Sequence, residues 1–104
     1  MAKKMKIRAW VEDGRTTVKA ILFHPMETGM RKDKASGNKI PAHYITEVMC
    51  EHNGEQVLTC LWGPSVSKNP FLSFNFTGAK KGDELKISWV DNKGQSNSKL
   101  AQIG

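Results

Sequence analysis

The sequence has 104 residues, of which 38% are hydrophobic and 25% charged, and its formal net charge is +6. This length fits one domain over residues 1–104, and the composition excludes a disordered or fibrous chain. No apolar stretch approaches the roughly 18 residues that span a bilayer, so we do not expect a membrane protein.

The first part of the chain alternates between apolar and polar residues, which is typical of half-buried β-strands. We predict strands over Lys6 to Glu12 and Thr16 to Phe23. They are joined by Asp13-Gly14, a pair that tolerates the positive φ angles of a tight hairpin turn. His24-Pro25 ends the second strand, because proline donates no hydrogen bond to a β-ladder.

A long polar segment, Met26 to Ala42, follows, and it has no period that would support a buried element. Loops longer than roughly 12 to 15 residues are often functional or mobile in so small a domain. The mixed-charge run from Arg31 to Lys34 is interpreted as a solvated loop, with contact to an anionic partner as the alternative.

A second hairpin is predicted from Tyr44 to His52 and from Glu55 to Trp62, around the turn pair Asn53-Gly54. Three further strands are predicted over Phe71 to Thr77, Glu84 to Asp91 and Gln95 to Ile103. About seven short antiparallel strands without helices predict an all-β fold, an immunoglobulin-like two-sheet antiparallel β-sandwich.

The two cysteines lie in the second hairpin. A two-residue turn there places Cys50 opposite Val57 and Cys60 opposite Glu47. The cysteines would then project to opposite faces of the sheet, which a disulfide forbids. We therefore expect two unpaired thiols that behave as small buried hydrophobes.

Both faces of this predicted hairpin carry apolar residues, although a sandwich sheet needs only one apolar face for its core. A second apolar face is a candidate binding surface, with coverage by loops as the alternative. The predicted partner interface consists of Ile45, Met49, Leu58 and Trp62.

Enzyme motifs are not found: there is no nucleophile elbow, phosphate-binding loop or paired-carboxylate signature. We therefore predict no catalytic residue, cofactor or metal site. The competing class is a small copper-binding domain, with His24 and Met26 as soft ligands for Cu(I). A third class is nucleic-acid binding, but acidic residues interrupt the basic ones, and we expect only weak, nonspecific retention.

Five segments, in order along nearly the whole chain, closely resemble the SoxZ family of sulfur-oxidation proteins. They are His24 to Asp33, Ile40 to His43, Cys50 to Gly54, Trp62 to Pro70 and Ser88 to Gly94. Cys60 and Trp10 depart from the usual pattern of the family, so neither is given a family role.

The resemblance implies a non-catalytic subunit of the SoxYZ sulfur carrier complex of thiosulfate oxidation. In such complexes SoxY is the heterodimer partner, and a cysteine in its flexible C-terminal arm carries the thiosulfate-derived sulfur. The tail of this chain, Ser96 to Gly104, has no cysteine, which agrees with that division of labour. Transient contacts with other Sox enzymes are expected through the loop Met26 to Asp33, with Met26, Arg31 and Lys32 as candidate residues.

The resemblance also implies a periplasmic location. The basic start, Met1 to Lys6, is not followed by the apolar region of an export signal, so we expect no signal peptide. SoxZ-like chains are exported in the folded state with a signal-bearing SoxY, and the same route is implied here.

Overall fold

The computed structural model describes residues 5–104, which form seven β-strands. The strands are Met5–Glu12 (β1), Arg15–Leu22 (β2), Ile45–His52 (β3), Glu55–Leu61 (β4), Phe71–Thr77 (β5), Glu84–Asp91 (β6) and Ser96–Gln102 (β7). Each predicted strand is confirmed, with both ends within one residue of their predicted positions. Within this described range, no helix is long and apolar enough to cross a membrane.

The strands form two antiparallel sheets, one of three strands in the order β1-β2-β5 and one of four in the order β4-β3-β6-β7. The chain crosses between the sheets after β2, β4 and β5, as expected for an immunoglobulin-like sandwich. The predicted all-β sandwich is therefore confirmed.

The core lies between the two sheets and follows the two-residue period of the strands. In β2 the buried positions alternate from Thr16 to Leu22, and in β6 they alternate from Leu85 to Asp91. Each fully buried aliphatic side chain contributes about 1.5–3 kcal/mol to folding. At one side of the core, Gly104 pairs with β1: its N–H donates to the Ala9 carbonyl, and its carbonyl accepts the Val11 N–H.

The register of the second hairpin differs from the prediction. Glu51 lies opposite Gln56 as expected, but Cys50 then lies opposite Leu58, so Val57 is the extra residue of a β-bulge. A bulge places two residues of one strand against one of its partner, and every later β4 residue is displaced by one position.

Because of the bulge, the β4 side chains after Val57 point to the opposite side of the sheet from the one predicted. Cys60 pairs with Val48, which is fully buried, so Cys50 and Cys60 project to the same inner face. The prediction of opposite faces is wrong. The prediction of two unpaired thiols is confirmed, since both cysteines are free.

The segment between β2 and β3, residues 23–44, is called the crossover loop below. It folds back on itself: Glu27 and His43 exchange two backbone hydrogen bonds, and Lys32 pairs with Lys39 further out. Residues from Met30 to Lys39 are exposed. The crossover loop is thus a narrow arm with a solvated tip.

The turn Asn53-Gly54 provides a stability test. Gly54 has a φ of 87°, while Gly63 lies outside the left-handed region, and neither has a neighbour within 4 Å of an added Cβ. We expect Gly54→Ala to lower the free energy of unfolding by about 1 kcal/mol, because a Cβ strains a left-handed residue. Gly63→Ala is the matched control and should change it by at most a few tenths. Equal losses of unfolding free energy in the two variants, measured by urea denaturation, would contradict this prediction.

Candidate functional site

The crossover loop is anchored at its base by two histidines and one carboxylate, of which His24 and Asp91 are buried and His43 is partly buried. His24 follows β2, His43 precedes β3, and Asp91 is the last residue of β6. The backbone pairing of Glu27 with His43 brings the two ends of the loop together, so that both imidazoles reach the end of β6. We call these three residues the His-Asp-His cluster.

Asp91 is the acceptor for the whole cluster. His24 Nε2 lies 3.1 Å from Asp91 Oδ2, and His43 Nε2 lies 2.8 Å from the same oxygen. The other oxygen, Oδ1, accepts backbone N–H groups of Lys93 and Gln95 at 3.0 and 2.9 Å. One carboxylate therefore holds both ends of the crossover loop and the turn between β6 and β7.

The hydrogen bonds assign the protons of His24. The backbone N–H of Met26 donates to His24 Nδ1 at 3.1 Å, so this nitrogen is an acceptor. A neutral imidazole then carries its proton on Nε2 and donates it to Asp91. The His24 ring also packs edge-on against Trp89, with ring centroids 5.1 Å apart.

Burial sets the ionisation of the cluster. Burial lowers the pKa of His24, and it outweighs the opposing hydrogen bond to Asp91. Burial by itself would raise the pKa of Asp91, but the hydrogen bonds from His24, the Gln95 backbone and His43 more than offset it, so this pKa is lowered. In the folded protein Asp91 is therefore ionised and His24 is neutral.

The potential ligand atoms of the cluster lie within 4.8 Å of one another, which is compatible with a metal site. A metal at His24 Nε2, however, would require the proton to move to Nδ1, where it would face the Met26 N–H. The Met26 sulfur accepts the Ile45 N–H at 3.3 Å and is also engaged. The geometry therefore opposes the copper-binding alternative and favours a structural role.

Met26 has an additional constraint, since its φ is 48°. A left-handed conformation costs a non-glycine residue about 1–2 kcal/mol. The hydrogen bonds of its N–H and its sulfur hold it in place, and it is only 5% exposed. Met26 is therefore largely a core residue that reaches the surface where it lines a recess with Arg31, and its role in enzyme recruitment stays a prediction.

The other two residues predicted for enzyme recruitment are exposed on the crossover loop. Arg31 forms an ion pair with Glu27, with its Nε 3.2 Å from Glu27 Oε2, and Lys32 is free in solvent. A recess of about 430 Å³ lies beside them, and its lining includes Lys68. This end of the molecule is therefore cationic at its surface.

The four residues of the predicted partner interface do not share a face. A second bulge, between Ile45 and Glu47, turns Ile45 into the core, where it is fully buried. The Val57 bulge turns Leu58 inward, and Trp62 is half-buried against the core. Only Met49 lies on the outer face, opposite Thr59 and Ser88.

Sequence reasoning missed His43 and Asp91 as partners of His24. Asp91 is 67 residues from His24 and 48 from His43 along the chain, and no local pattern joins them. The available signal was that all three lie in segments that resemble the SoxZ family.

The lowered pKa of His24 predicts a pH dependence of stability. Below about pH 6.5 the unfolded chain protonates this histidine and the folded protein does not, so the unfolded state binds more protons. The free energy of unfolding should fall as the pH drops from about 7 to about 5.5, by no more than ~1.4 kcal/mol per pH unit.

Urea denaturation between about pH 5.5 and pH 7 tests this effect, because carboxylates ordinarily titrate below that range. His24→Asn should flatten the slope. NMR of the wild-type histidines is the second measurement, and His24 should titrate below its ordinary value. An unchanged slope in the variant, or a His24 midpoint at or above about 6.5, would contradict the prediction.

A solved structure with a similar fold is hypothetical protein PH1083 from Pyrococcus horikoshii OT3. The TM-score is 0.67 at 17% sequence identity, covering 98% of this chain and 88% of that one. At this identity the likeness concerns the fold alone. No curated protein matches the sequence.

The family comparison is more specific. The profile described as "Sulphur oxidation protein SoxZ" matches residues 5–102, from the first residue of β1 to the last of β7. The match includes the entire crossover loop and all three residues of the His-Asp-His cluster. The chain therefore belongs to the SoxZ family and has a role in the sulfur oxidation system.

Proposed function

We propose that the protein is the non-catalytic subunit of a SoxYZ sulfur carrier complex, in which it scaffolds the SoxY chain whose C-terminal cysteine carries thiosulfate-derived sulfur. The observation that carries the proposal is the family match over residues 5–102. Proteins of the Sox system are typically periplasmic, and we propose the same compartment for this protein.

The thiols of this chain support a non-carrier role. A thiol that carries sulfur between enzymes must be accessible and partly ionised. Cys50 is fully buried, and burial raises its pKa to about 12. Burial also raises the pKa of Cys60, which packs against the core. The carrier cysteine is therefore expected on the partner.

We propose the outer face of the four-stranded sheet as the SoxY-binding surface. Leu61, at the end of the edge strand β4, is 79% exposed and lies beside Glu47. Met49 is central on this face, and Val90 lies on the other side of Glu47. Glu47, Glu51 and Lys86 also lie on this face, so its exposed apolar groups stand among charges, and such a mixed surface fits a protein partner with complementary charges.

The tip of the crossover loop is proposed to contact the Sox enzymes that act on the carrier arm. Arg31 and Lys32 give it a positive charge, and the His-Asp-His cluster fixes its base against the sandwich. A narrow arm with a rigid base can present charges at a constant position, which favours electrostatic steering of a partner.

The SoxY interface is tested with charge substitutions. Met49→Asp and Leu61→Asp should each weaken the heterodimer at least tenfold, because the new carboxylate would be buried against the partner beside Glu47 without a counter-charge. Dissociation constants can be measured by calorimetry with purified SoxY.

Met30→Asp is the matched control, since Met30 is 73% exposed but lies on the crossover loop. It should leave the heterodimer unchanged. Wild-type affinity in both test variants would show that SoxY binds another face, and a protein that never binds SoxY would refute the proposed function.

The recruiting role of the crossover loop is tested in the assembled heterodimer. Arg31→Ala with Lys32→Ala should lower thiosulfate turnover at low carrier concentration several-fold, with a smaller effect at saturation, because the charges act on association. Lys80→Ala with Lys81→Ala removes the same charge from another exposed loop and is the control. Equal turnover in the two double variants would contradict this role.

A further inference from the structure

The outer face of the three-stranded sheet differs from that of the other sheet, because it is strongly basic. The pairing of β1, β2 and β5 sets its side chains in rows across the sheet. The first row is Lys6, Ile21 and Phe71, and the second is Arg8, Lys19 and Ser73. Arg15 lies further along the same face of β2.

The cations of this face are not neutralised within the described chain. None of the ion pairs formed by residues 5–104 includes Lys6, Arg8 or Lys19. Arg8 and Lys19 stand directly opposite each other, and like charges in that position destabilise a sheet. Glu12 lies two rows away, directly opposite Arg15, and accepts the indole N–H of Trp10. Lys19 Nζ lies 5.9 Å from the centroid of the Trp10 ring, a cation–π contact that does not neutralise its charge. Within residues 5–104, the fold therefore maintains a cluster of positive charge without carboxylate partners.

An apolar recess lies within this cluster. Its volume is about 210 Å³, and it is lined by Lys6, Arg8, Lys19, Ala20, Ile21 and Phe71. Phe71 is 60% exposed and forms one wall of the recess. The recess is smaller than the roughly 300–1,000 Å³ of a small-molecule pocket. It is suited to one side chain of a larger partner.

We propose that this recess and the cations around it, together called the basic recess, dock an acidic segment of a protein partner. One apolar side chain of that segment enters the recess beside Phe71. Carboxylates of the segment pair with Lys6, Arg8 and Lys19 and relieve their repulsion. A single-stranded nucleic acid fits less well, because it stacks successive bases on several aromatic side chains, whereas Phe71 is the one aromatic residue among the described residues that line this recess. The basic recess lies on the sheet opposite to the proposed SoxY-binding surface, so the inference does not depend on the heterodimer.

The probe is a fluorescent peptide of about eight residues, composed of Glu and Asp with a central Phe; at roughly 3.4 Å per residue it is longer than the sheet is wide. We expect binding that weakens with salt, with the largest amide NMR shifts in β1, β2 and the start of β5. Arg8→Glu with Lys19→Glu should raise the dissociation constant at least tenfold.

Lys80→Glu with Lys81→Glu changes the net charge equally, in the loop after the far end of β5, and should have a much smaller effect. Phe71→Ser should weaken binding several-fold and leave the salt dependence intact, since it removes only the apolar contact. All these side chains are exposed, and dispersed amide spectra verify folding.

Three results would overturn the proposal. They are shifts confined to other faces, equal losses in the two charge-reversed variants, and tighter binding of oligothymidylate or phosphatidylglycerol vesicles than of the peptide. The last would assign the basic recess to a nucleic acid or a membrane surface. Loss of SoxY binding is not among them, so a failure here is distinguishable from a failure of the proposed heterodimer.

Discussion

The carboxylate of Asp91 is the interaction on which the arrangement of the crossover loop depends. It accepts two imidazole N–H groups from opposite ends of the loop and two backbone N–H groups of the following turn. Removing one partner of such a buried network leaves the other groups unsatisfied, which costs more than the bond itself contributes. The network also holds His24 where its Nδ1 accepts the N–H of Met26, and this bond helps to keep Met26 in its left-handed conformation.

The strands could be predicted from the sequence, because alternation and the turn pairs Asp13-Gly14 and Asn53-Gly54 are local signals. Both turns have the expected positive φ angles. The register of β4 could not be predicted, since nothing local marks Val57 as an extra residue. The four residues of the predicted interface do not share a face for the same reason: a shift of one residue exchanges the two faces of a strand.

The candidate site shows the same division between local and distant signals. The family resemblance identified the segments that contain His24, His43 and Asp91, but their contact arises only when the two sheets pack. The two outer faces of the sandwich also differ: one combines Leu61 and Met49 with charges of both signs, whereas the other concentrates Lys6, Arg8 and Lys19. One small domain thereby offers two chemically distinct surfaces.

The bulge at Val57 has a consequence for the free edge of the four-stranded sheet. Deletion of this one residue would restore regular pairing without exchanging any face, since Leu58 already lies opposite Cys50. It would also straighten an edge strand whose end exposes Leu61. Straight apolar edges recruit strands from other molecules, and bulges twist them away from such pairing. Val57 is therefore not needed for the register of β4, although it packs against the core, and the bulge that it forms opposes the addition of a foreign strand at this edge.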